Sequence, residues 1–542
     1  MSLSFFEFPL SLLLGLFVFF SKKMDRNLGL ILLLLLLCHK GSGEFCPYRC
    51  QCFTLVQVLC ADATMTSLPK NISREVKDFI VMTTAVQYLF SHTLEGSPQL
   101  TKLIFLDNQL KSIHCRAFEH LTELQELEIS GNPLDHLFLG TFSKQGNLTK
   151  LLLNFNRFQT VLPGMFDSLK QLETLQMKGN VISDLPAFLF LNLQKLRVLD
   201  LSQNKLEGVK KETFCGLEKL EILKMNNNLV SNFTSDTFHN VSQLTELHLE
   251  GNMITKLDDG IFAVLTELQV LNLRGNLLTT FSDKVFGFEG SNLSELNLKG
   301  NRLTELSSLS SLTLLTNLIL SSNQLSNLTG DIFRNVTALM ILDLSENQIT
   351  SLPETIFNDL SEIRTIYLQK NNLSTLDAKL FKSQEFIQQL YLSDNQLESL
   401  PEDLFDHFIL QYTVRLHGNP WKCDCHIWYL HDWVLENSKT MEMLDRVVCE
   451  SPNFLKKRAV MSINKDQLVC HLSRDEMPDL STCSLQASNG IMIIKCKVDI
   501  CSPLTVKVQF QKEDGNIKEH IVKNEHEPSQ CSNETLIESP IQ

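Results

Sequence analysis

One short pattern recurs along the chain at a nearly constant interval, and it limits the possible folds more than any other feature. Clear copies read LQELEISGNPL at 124–134, LTELHLEGNMI at 244–254 and LQVLNLRGNLL at 268–278. They share the frame L-x-x-L-x-L-x-x-N-x-L, and successive frame asparagines are 24 residues apart, except for one interval of 25 and one of 22. The frame asparagines are Asn108, Asn132, Asn156, Asn180, Asn204, Asn228, Asn252, Asn276, Asn301, Asn323, Asn347, Asn371, Asn395 and Asn419. A chance excess of leucine cannot keep this register, so the chain consists of many equivalent units.

The alternation within each copy predicts a short β-strand with leucines on one face and variable residues on the other. Such a unit, here called a coil, buries its apolar edge only against the coils before and after it, so the copies must stack into one solenoid. Each frame asparagine stands where the strand turns, and its side chain can bind backbone groups that the turn leaves unpaired. An earlier copy has Thr84 at this position. The frame matches the leucine-rich repeat signature, which predicts an α/β solenoid, a leucine-rich repeat horseshoe with short parallel strands on its concave face.

A phenylalanine follows nearly every frame position by ten residues. These residues are Phe118, Phe142, Phe166, Phe190, Phe214, Phe238, Phe262, Phe286, Phe333, Phe357, Phe381 and Phe405. Stacked coils would place them in a column of rings inside the convex wall. The 22-residue copy after Asn301 reads LSSLSSL at 306–312 instead, so we expect a thinner convex wall there.

The residues before the repeats have the composition of an export signal. Residues 1–43 contain two apolar runs, at 10–20 and 28–38, and neither reaches the roughly 18–20 residues of a membrane-spanning helix. The second run follows Met24 and Arg26 and leads to the small, polar residues HKGSG, as in a secretory signal peptide. We therefore predict an upstream extension, a start at Met24 and cleavage near Gly43. A signal anchor built from both runs is the alternative, which the charged residues between them disfavour.

Cysteines cluster at both ends of the repeats, and in an exported chain their default state is the disulfide. Cys46, Cys50, Cys52 and Cys60 lie in 44–75, before the first coil, where a cap would cover an exposed apolar end. Cys423, Cys425, Cys449 and Cys470 lie in 416–470, where we predict a second cap after repeats that span 76–415. A metal site is the alternative at both clusters, but the first has no nearby histidine and two disulfides would use all four cysteines of the second. Cys115 and Cys215 stand alone in the repeats, about four coils apart, which is too far for a disulfide between them. We expect buried free thiols, and an intermolecular disulfide is the alternative.

Beyond the second cluster the repeat pattern stops. Residues 471–542 contain alternating runs such as IMIIKCKV at 491–498, which predict a small β-rich appendage. Its cysteines allow up to two further disulfides among Cys483, Cys496, Cys501 and Cys531. No later run is long and apolar enough to cross a bilayer, so we expect a released protein rather than a tethered one.

Nine N-x-S/T sequons predict a heavily glycosylated protein. They are Asn71, Asn147, Asn232, Asn240, Asn292, Asn327, Asn335, Asn372 and Asn533. None is a frame asparagine, as expected if the frame residues are buried. Sugars on two close pairs, Asn232 with Asn240 and Asn327 with Asn335, would shield part of their coils and leave other surface for a partner.

The outward-facing strand residues are the candidate binding surface. In the first coils they are unusually apolar, and we predict that the partner-binding residues on the concave face include Ile80, Met82, Ile104, Leu106, Leu152 and Phe155. The alternative is that the cap or its loops cover this patch. Tyr367 and Tyr391 stand on adjacent later coils and are predicted to form an aromatic anchor in the same surface.

The sequence offers no catalytic constellation. The pattern H-x-x-E occurs at His92–Glu95 and His120–Glu123, about as often as chance allows, and there is no nucleophile elbow, phosphate-binding glycine loop or C-x-x-C pair. The formal net charge of −14 disfavours nucleic acid and anionic membranes as partners. We predict a binding protein that is not an enzyme and needs no cofactor or metal.

The order of these features resembles one extracellular leucine-rich repeat family. The cap, the 24-residue coils, LHGNPWKCDCHIWYL at 416–430, INKDQLVC at 463–470 followed by SRD, and the four-cysteine tail are similar to the regulatory, non-catalytic subunits of plasma carboxypeptidase N. The resemblance implies the pairs Cys46–Cys52, Cys50–Cys60, Cys423–Cys449 and Cys425–Cys470.

The same resemblance implies a function. A secreted glycoprotein of this family binds and stabilises a catalytic zinc carboxypeptidase, which removes C-terminal Lys or Arg from plasma peptides, as a hetero-oligomer. Two alternatives are the ectodomain of a cell-adhesion receptor resembling platelet glycoprotein V, which needs a membrane helix after the second cap, and a soluble ligand-binding decoy.

Overall fold

The coils of the predicted solenoid are present throughout the repeats. The computed structural model describes residues 46–70, 72–287 and 290–469, and beyond them the backbone of five strands. The described coils belong to two compact units, one that runs to Gln324 and includes Arg334–Leu339, and one that consists of Leu325–Phe333 and the residues from Met340 onward. The predicted export signal, residues 1–43, lies outside the described residues.

The first unit consists of short strands joined by turns. Its strands are β1 (Cys50–Thr54), β2 (Gln57–Cys60), β3 (Asp78–Met82), β4 (Tyr88–Leu89), β5 (Lys102–Leu106), β6 (Ser112–Ile113), β7 (Glu126–Ser130), β8 (Lys150–Leu152), β9 (Thr174–Gln176), β10 (Val198–Asp200), β11 (Ile222–Lys224), β12 (Glu246–His248), β13 (Val270–Asn272), β14 (Thr280–Phe281), β15 (Glu295–Asn297), β16 (Glu305–Leu306) and β17 (Asn317–Ile319). Two 3-10 helices, Lys211–Phe214 and Asp283–Phe286, lie between strands.

The second unit contains further strands of the repeats, a helical cap and a strand-rich tail. Its strands are β18 (Ile341–Asp343), β19 (Thr365–Tyr367), β20 (Gln389–Tyr391), β21 (Thr413–Arg415), β22 (Trp421–Lys422), β23 (Cys449–Ser451), β24 (Ser484–Ser488), β25 (Ile491–Val498), β26 (Thr505–Gln511), β27 (Ile517–Lys523) and β28 (Thr535–Ile541). Its helices are α1 (Trp428–Glu436) and the 3-10 turns Cys425–Ile427, Leu444–Arg446, Val460–Ser462 and Lys465–Gln467.

The strand register follows the sequence period. Leu199 of β10 pairs in parallel with Leu175 of β9 and with Leu223 of β11, each 24 residues away. The offset becomes 25 between Leu271 and Leu296, where the sequence has its one longer interval. The buried leucines of successive coils therefore lie directly above one another, and the predicted leucine-rich repeat solenoid is confirmed.

The frame asparagines join one coil to the next. The Nδ2 of Asn204 donates to the carbonyls of Met177 and Leu201 at 2.9 and 3.0 Å, and its Oδ1 accepts from the amide of Ile182 at 3.1 Å. The same three contacts recur at Asn252. The side chain thus satisfies buried backbone groups on two coils at once, which explains why asparagine recurs at this position.

The residue before each frame asparagine has a left-handed backbone, a feature that sequence reasoning missed. Glycine supplies this conformation at several coils, for example Gly179 with φ +70°. A Cβ atom on Gly179 would lie 2.4 Å from Cδ1 of Phe155, so the close approach also requires glycine here. Phe155 itself occupies the same position one coil earlier, with φ +53°.

The predicted phenylalanine column forms in segments on the side opposite the strands. Phe118, Phe142, Phe166 and Phe190 stack with centroid separations of 6.5, 6.4 and 6.2 Å. Phe238, Phe262 and Phe286 form a second run at 5.6 and 5.9 Å, and Phe357 and Phe381 stack at 5.6 Å. In the 22-residue coil Ser311 stands where a ring would be, and Leu309 and Leu312 are buried instead.

A disulfide-bonded hairpin begins the first unit. β1 and β2 pair antiparallel with Cys50 opposite Cys60, and β2 then pairs in parallel with β3 of the first coil. The structure joins Cys46 to Cys52 and Cys50 to Cys60, the pairs that the resemblance implies. Val58 and Leu59 are buried, so the hairpin covers the apolar end of the stack.

The last coil is closed by aromatic side chains and a disulfide. Trp421 is fully buried and its indole nitrogen donates to the carbonyl of Leu416 at 3.2 Å. Trp433 of α1 packs against Phe405 with ring centroids 4.8 Å apart. Cys423 is bonded to Cys449 as the resemblance implies. Cys425 is also in a disulfide, and its implied partner, Cys470, lies outside the described residues.

The tail is β-rich, as its alternating sequence predicts. β25 pairs antiparallel with both β24 and β28, and β26 pairs antiparallel with β27. Cys496 is on β25, whereas Cys483, Cys501 and Cys531 lie outside the described residues, so the tail disulfides stay a prediction. Within the described part of the chain, none of the helices has the length and apolar character needed to cross a bilayer.

Candidate functional site

The predicted apolar patch does form a cluster on the strand face, the surface made by outward-pointing strand residues. Ile80, Ile104 and Leu152 occupy one row, which Glu128 interrupts. β2 of the cap extends this row with Leu59 instead of folding over it. The cap hairpin therefore does not remove the row from the strand face.

Only part of this patch is accessible. Ile104, Leu106 and Leu152 are just 5%, 9% and 7% exposed, because neighbouring coils cover their sides. Ile80 and Met82 are half-buried. A partner would therefore contact mainly Ile80 and Met82 among these five residues. The partner-binding role of the patch stays a prediction.

Phe155 presents the largest accessible apolar surface of the predicted patch. It is 48% exposed although its backbone has a positive φ, which is unfavourable for a bulky residue. Its ring lies over Gly179, and the ammonium of Lys178 is 5.7 Å from the ring centroid. The positive φ itself is shared by the residue before every frame asparagine, so it is the exposure of the ring that makes Phe155 a candidate contact.

Two carboxylates beside the patch have opposite acid–base behaviour. Burial raises the pKa of Glu128, and its hydrogen bond to Ser130 only partly offsets that effect. Burial would also raise the pKa of Glu126, but the ammonium groups of Lys102 and Lys150 lie 2.8 and 2.9 Å away and hold it below its ordinary value. On the strand face, the charge of Glu126 is thus balanced by two lysines, whereas the carboxylate of Glu128 beside it is poorly solvated.

Tyr367 and Tyr391 contact each other, as their positions on adjacent coils predict. Their ring centroids are 4.9 Å apart, and they lie in one row with Asp343 and Arg415. The guanidinium carbon of Arg415 lies 3.9 Å from the centroid of Tyr391, and its Nε donates to Glu442 at 2.6 Å. We call the four residues of the row the tyrosine ladder.

The ladder is held in place by its own contacts. Tyr391 is only 9% exposed, whereas Tyr367 is half-buried and its hydroxyl donates to Gln389 at 2.8 Å. Burial, with the nearby Tyr391 and Asp343, raises the pKa of Tyr367, so the phenol stays protonated at neutral pH. Little side-chain freedom would be lost if a partner packed on this row.

A charged groove that sequence reasoning missed lies in the first unit, along the edge that precedes the strands. Its volume is about 380 Å³. It is lined by residues of both signs: Glu173, Lys195, Arg197, Lys219, Glu221, Gln243, Thr245 and Glu267. We call this set the charged edge. Its members recur at the 24-residue period, which is the signal that could have revealed it.

The one group of three metal-ligand types found among the described residues is otherwise engaged. It consists of Asp424, Cys425 and His426, at the start of the second cap. Cys425 is in a disulfide, and Asp424 accepts hydrogen bonds from the backbone amide and Nδ1 of His426, both at 3.0 Å. Asp424 also pairs with Lys422 at 3.2 Å. The arrangement fits a capped helical turn better than a metal centre.

Cys115 and Cys215 are both free, as predicted, but they are half-buried and not fully buried. They lie in turns after the frame asparagines, where the chain is less enclosed than in the leucine rows. Sγ of Cys215 is 3.4 Å from Nδ2 of Asn240.

The sequons that the structure describes lie mostly at the surface. Those that are exposed are Asn147, Asn232, Asn292, Asn327, Asn335 and Asn372. Asn240 is half-buried, and its Nδ2 donates to the carbonyl of Lys211 at 3.2 Å. Asn71 and Asn533 lie outside the described residues.

The repeats also match a known family. The family described as Leucine rich repeat matches over more than half of the chain, at residues 130–182, 146–206, 180–230, 194–254, 242–303, 313–373 and 361–419. This chain belongs to the leucine-rich repeat family. Among solved structures, a leucine-rich repeat protein of Leptospira interrogans has a TM-score of 0.61 at 27% identity, covering 71% of this chain and 94% of its own.

This leucine-rich repeat protein is also similar in sequence to carboxypeptidase N subunit 2. The human protein is 34% identical over 124 residues, which are 19% of this chain and 23% of the relative. The mouse protein is 34% identical over 145 residues, 22% of this chain and 26% of the relative. The alignments thus span about a quarter of the length of these relatives.

Proposed function

We propose that this leucine-rich repeat protein is a secreted, non-catalytic subunit that binds and stabilises a zinc carboxypeptidase acting on C-terminal Lys or Arg of plasma peptides. The observation that carries the proposal is its similarity to carboxypeptidase N subunit 2, at 34% identity. The disulfide-bonded ends support export, because such bonds persist in oxidising compartments.

The geometry of the repeats supports a binding role. Their strands hold rows of side chains at fixed spacing, so a partner meets a surface that is already ordered. Tyr367 and Tyr391, whose rings pack on each other, are the best candidates for an anchor, since tyrosine is frequent among the residues that dominate interface energies. Phe155 is a second candidate, in the first unit.

Binding alone would stabilise the enzyme. A protein that binds only the folded form of its partner shifts the folding equilibrium by mass action, by about 2.7 kcal/mol when its concentration is a hundred times the dissociation constant. No chemical step on this chain is needed. The carboxypeptidase would supply the zinc and the catalytic groups, and this chain would supply the surface.

The proposal is tested by mixing the purified chain, secreted from cultured cells, with a purified zinc carboxypeptidase specific for C-terminal Lys and Arg. We expect co-elution in size-exclusion chromatography and a longer half-life of peptidase activity at 37 °C. The chain alone should hold no stoichiometric zinc and should not shorten a Lys-terminated peptide. Separate elution with an unchanged half-life would refute the proposal, as would hydrolysis by the chain itself.

The anchor is tested by the double variant Tyr367→Ala/Tyr391→Ala. Loss of both rings should weaken carboxypeptidase binding by about 2 kcal/mol or more, roughly thirtyfold. Tyr88→Ala is the matched control, because Tyr88 is 50% exposed and lies in the first unit. Circular dichroism checks that the variants fold. Unchanged affinity in the double variant would remove the tyrosine ladder from the interface.

A further inference from the structure

The charged edge is built as two regular rows of side chains. Lys195, Lys219 and Gln243 occupy the same position of successive coils, each 24 residues apart. Arg197 and Glu221 belong to the neighbouring row, in which each amide donates to the carbonyl one coil earlier. For example, the backbone amide of Arg197 donates to the backbone carbonyl of Glu173 at 2.8 Å. The rows therefore hold their side chains on a rigid frame at the spacing of adjacent strands, about 4.8 Å.

Three cations and three carboxylates line the groove, but among the described residues only one cation and one carboxylate of this set form an ion pair. Arg197 and Glu221 neutralise each other through two hydrogen bonds of 2.8 Å. The ammonium of Lys195 donates to the neutral side-chain amide of Gln171 at 2.5 Å. Among the described residues, no carboxylate forms an ion pair with Lys219. Within the part of the chain that the structure describes, two ammonium groups on adjacent coils thus form no ion pair, although like charges side by side are unfavourable.

Sugars would leave this edge open. Asn147 and Asn292 occupy the equivalent position in other coils: their Nδ2 atoms donate to the carbonyls of Thr122 and Thr266 at 3.0 and 2.9 Å. In the coils between these two sequons, the same position is occupied by residues that cannot carry an N-linked glycan: Gln171, Lys195, Lys219, Gln243 and Glu267. Predicted glycans thus stand at both ends of the charged edge and nowhere along it.

We infer that the charged edge is a docking surface for a protein partner, which places an acidic side chain between Lys195 and Lys219. The inference rests on the proposed function, since the partner is the carboxypeptidase. A polyanion such as a sulfated polysaccharide fits less well, because Glu173 and Glu267 lie in the same groove and would repel it. A folded protein surface can place single charges opposite each of these groups.

The test measures association of the full chain with the zinc carboxypeptidase by surface plasmon resonance at 50 and 500 mM NaCl. Lys195→Glu/Lys219→Glu is compared with Lys144→Glu/Lys205→Glu, which makes the same change in net charge at exposed lysines outside the charged edge. We expect the edge variant to associate about tenfold more slowly than the control at 50 mM NaCl. The difference should shrink at 500 mM, where the charges are screened.

The outcomes separate the two proposals. If the unmodified chain binds and both variants associate at the same rate, the charged edge is not the docking surface and the proposed function stands. If the unmodified chain does not bind at all, the proposed function fails and this inference fails with it. If the edge variant loses retention on a heparin column but keeps its association rate, the surface serves a polyanion, and our assignment of a protein partner is wrong.

Discussion

At the scale of single residues, Glu126 and Glu128 show how position on the strand face determines the pKa of a carboxyl group. They are two residues apart on β7, yet Glu126 has two lysine partners, whereas Glu128 lies between the buried side chains of Ile104 and Leu152. The pKa of Glu126 is lowered and that of Glu128 is raised. The fold therefore favours the ionised form of the first and the protonated form of the second.

We expect opposite stability changes from removing these two charges. Because folding raises the pKa of Glu128, this carboxyl group stabilises the folded protein fully below its ordinary pKa of about 4.3. That stabilisation is lost as the pH rises through the pKa in the folded protein. Glu128→Gln should thus stabilise the protein at pH 7 by about 1 kcal/mol. Glu126→Gln should destabilise it at pH 7 by about 0.5–1 kcal/mol, with the difference vanishing as pH falls.

Thermal unfolding of the parent and both variants between pH 3 and pH 7 measures these effects. The two variants serve as controls for each other, because each exchanges one outward-facing glutamate of the same strand for its neutral isostere. A lower midpoint for Glu128→Gln at pH 7 would contradict the raised pKa.

The frame asparagines make a second prediction for single residues. Asn204→Ala removes the donor to Met177 and Leu201 and the acceptor of Ile182, so buried backbone groups lose their partners. We expect a loss of about 3 kcal/mol in the free energy of unfolding, measured by urea titration followed by circular dichroism. Lys205→Ala, one residue later and exposed, should change it by less than about 0.5 kcal/mol. Equal effects from both variants would show that the asparagine contacts contribute little.

At the scale of elements, the phenylalanine column is the main packing device opposite the strands. Phe166 is 1% exposed and lies between Phe142 and Phe190, at 6.4 and 6.2 Å. Phe166→Ala should cost about 4 kcal/mol, because it opens a cavity that the neighbouring coils cannot close. Phe138→Ala, at a site that is 46% exposed, should cost less than about 1 kcal/mol. Similar urea midpoints for the two variants would argue against a packed column.

The regular parts of these elements could be predicted from the sequence because each depends on a repeated local requirement. The 24-residue spacing was enough to predict that Leu175, Leu199 and Leu223 would lie in register, since a shift would turn the leucines out of the core. The burial of Ile104 could not be predicted in this way, because it depends on which side chains stand beside it on other coils.

The candidate sites were predictable only in part, for the same reason. Contact between Tyr367 and Tyr391 follows from their equal positions in adjacent coils. The covering of Tyr391 by Arg415 depends on the rotamers and ion pairs of one particular row. The charged edge was missed because a charge pattern does not reveal which ions neutralise each other, as Arg197 and Glu221 do.

At the scale of the whole molecule, the net charge and the predicted N-linked glycans together limit which classes of partner can bind. The formal net charge of −14 disfavours long polyanions, which would release few counterions on a surface with scattered lysines. Predicted glycans would cover exposed sites in both units, among them Asn147, Asn292 and Asn372. The surfaces without acceptor sites, such as the charged edge, are therefore the ones on which a protein partner would have room.

Site-by-site glycan occupancy tests this view of the surface. In chain secreted from cultured cells, we expect nearly complete occupancy at Asn147, Asn232 and Asn292, because these side chains are exposed. Asn240 should be occupied less, since a glycan there would displace its contacts with Lys211 and Cys215. Peptide mass spectrometry after enzymatic deglycosylation in heavy-oxygen water measures each fraction. Full occupancy at Asn240 together with empty Asn147 and Asn292 would mean that sugars do not bracket the charged edge, and the partner would then have to be sought on the strand face.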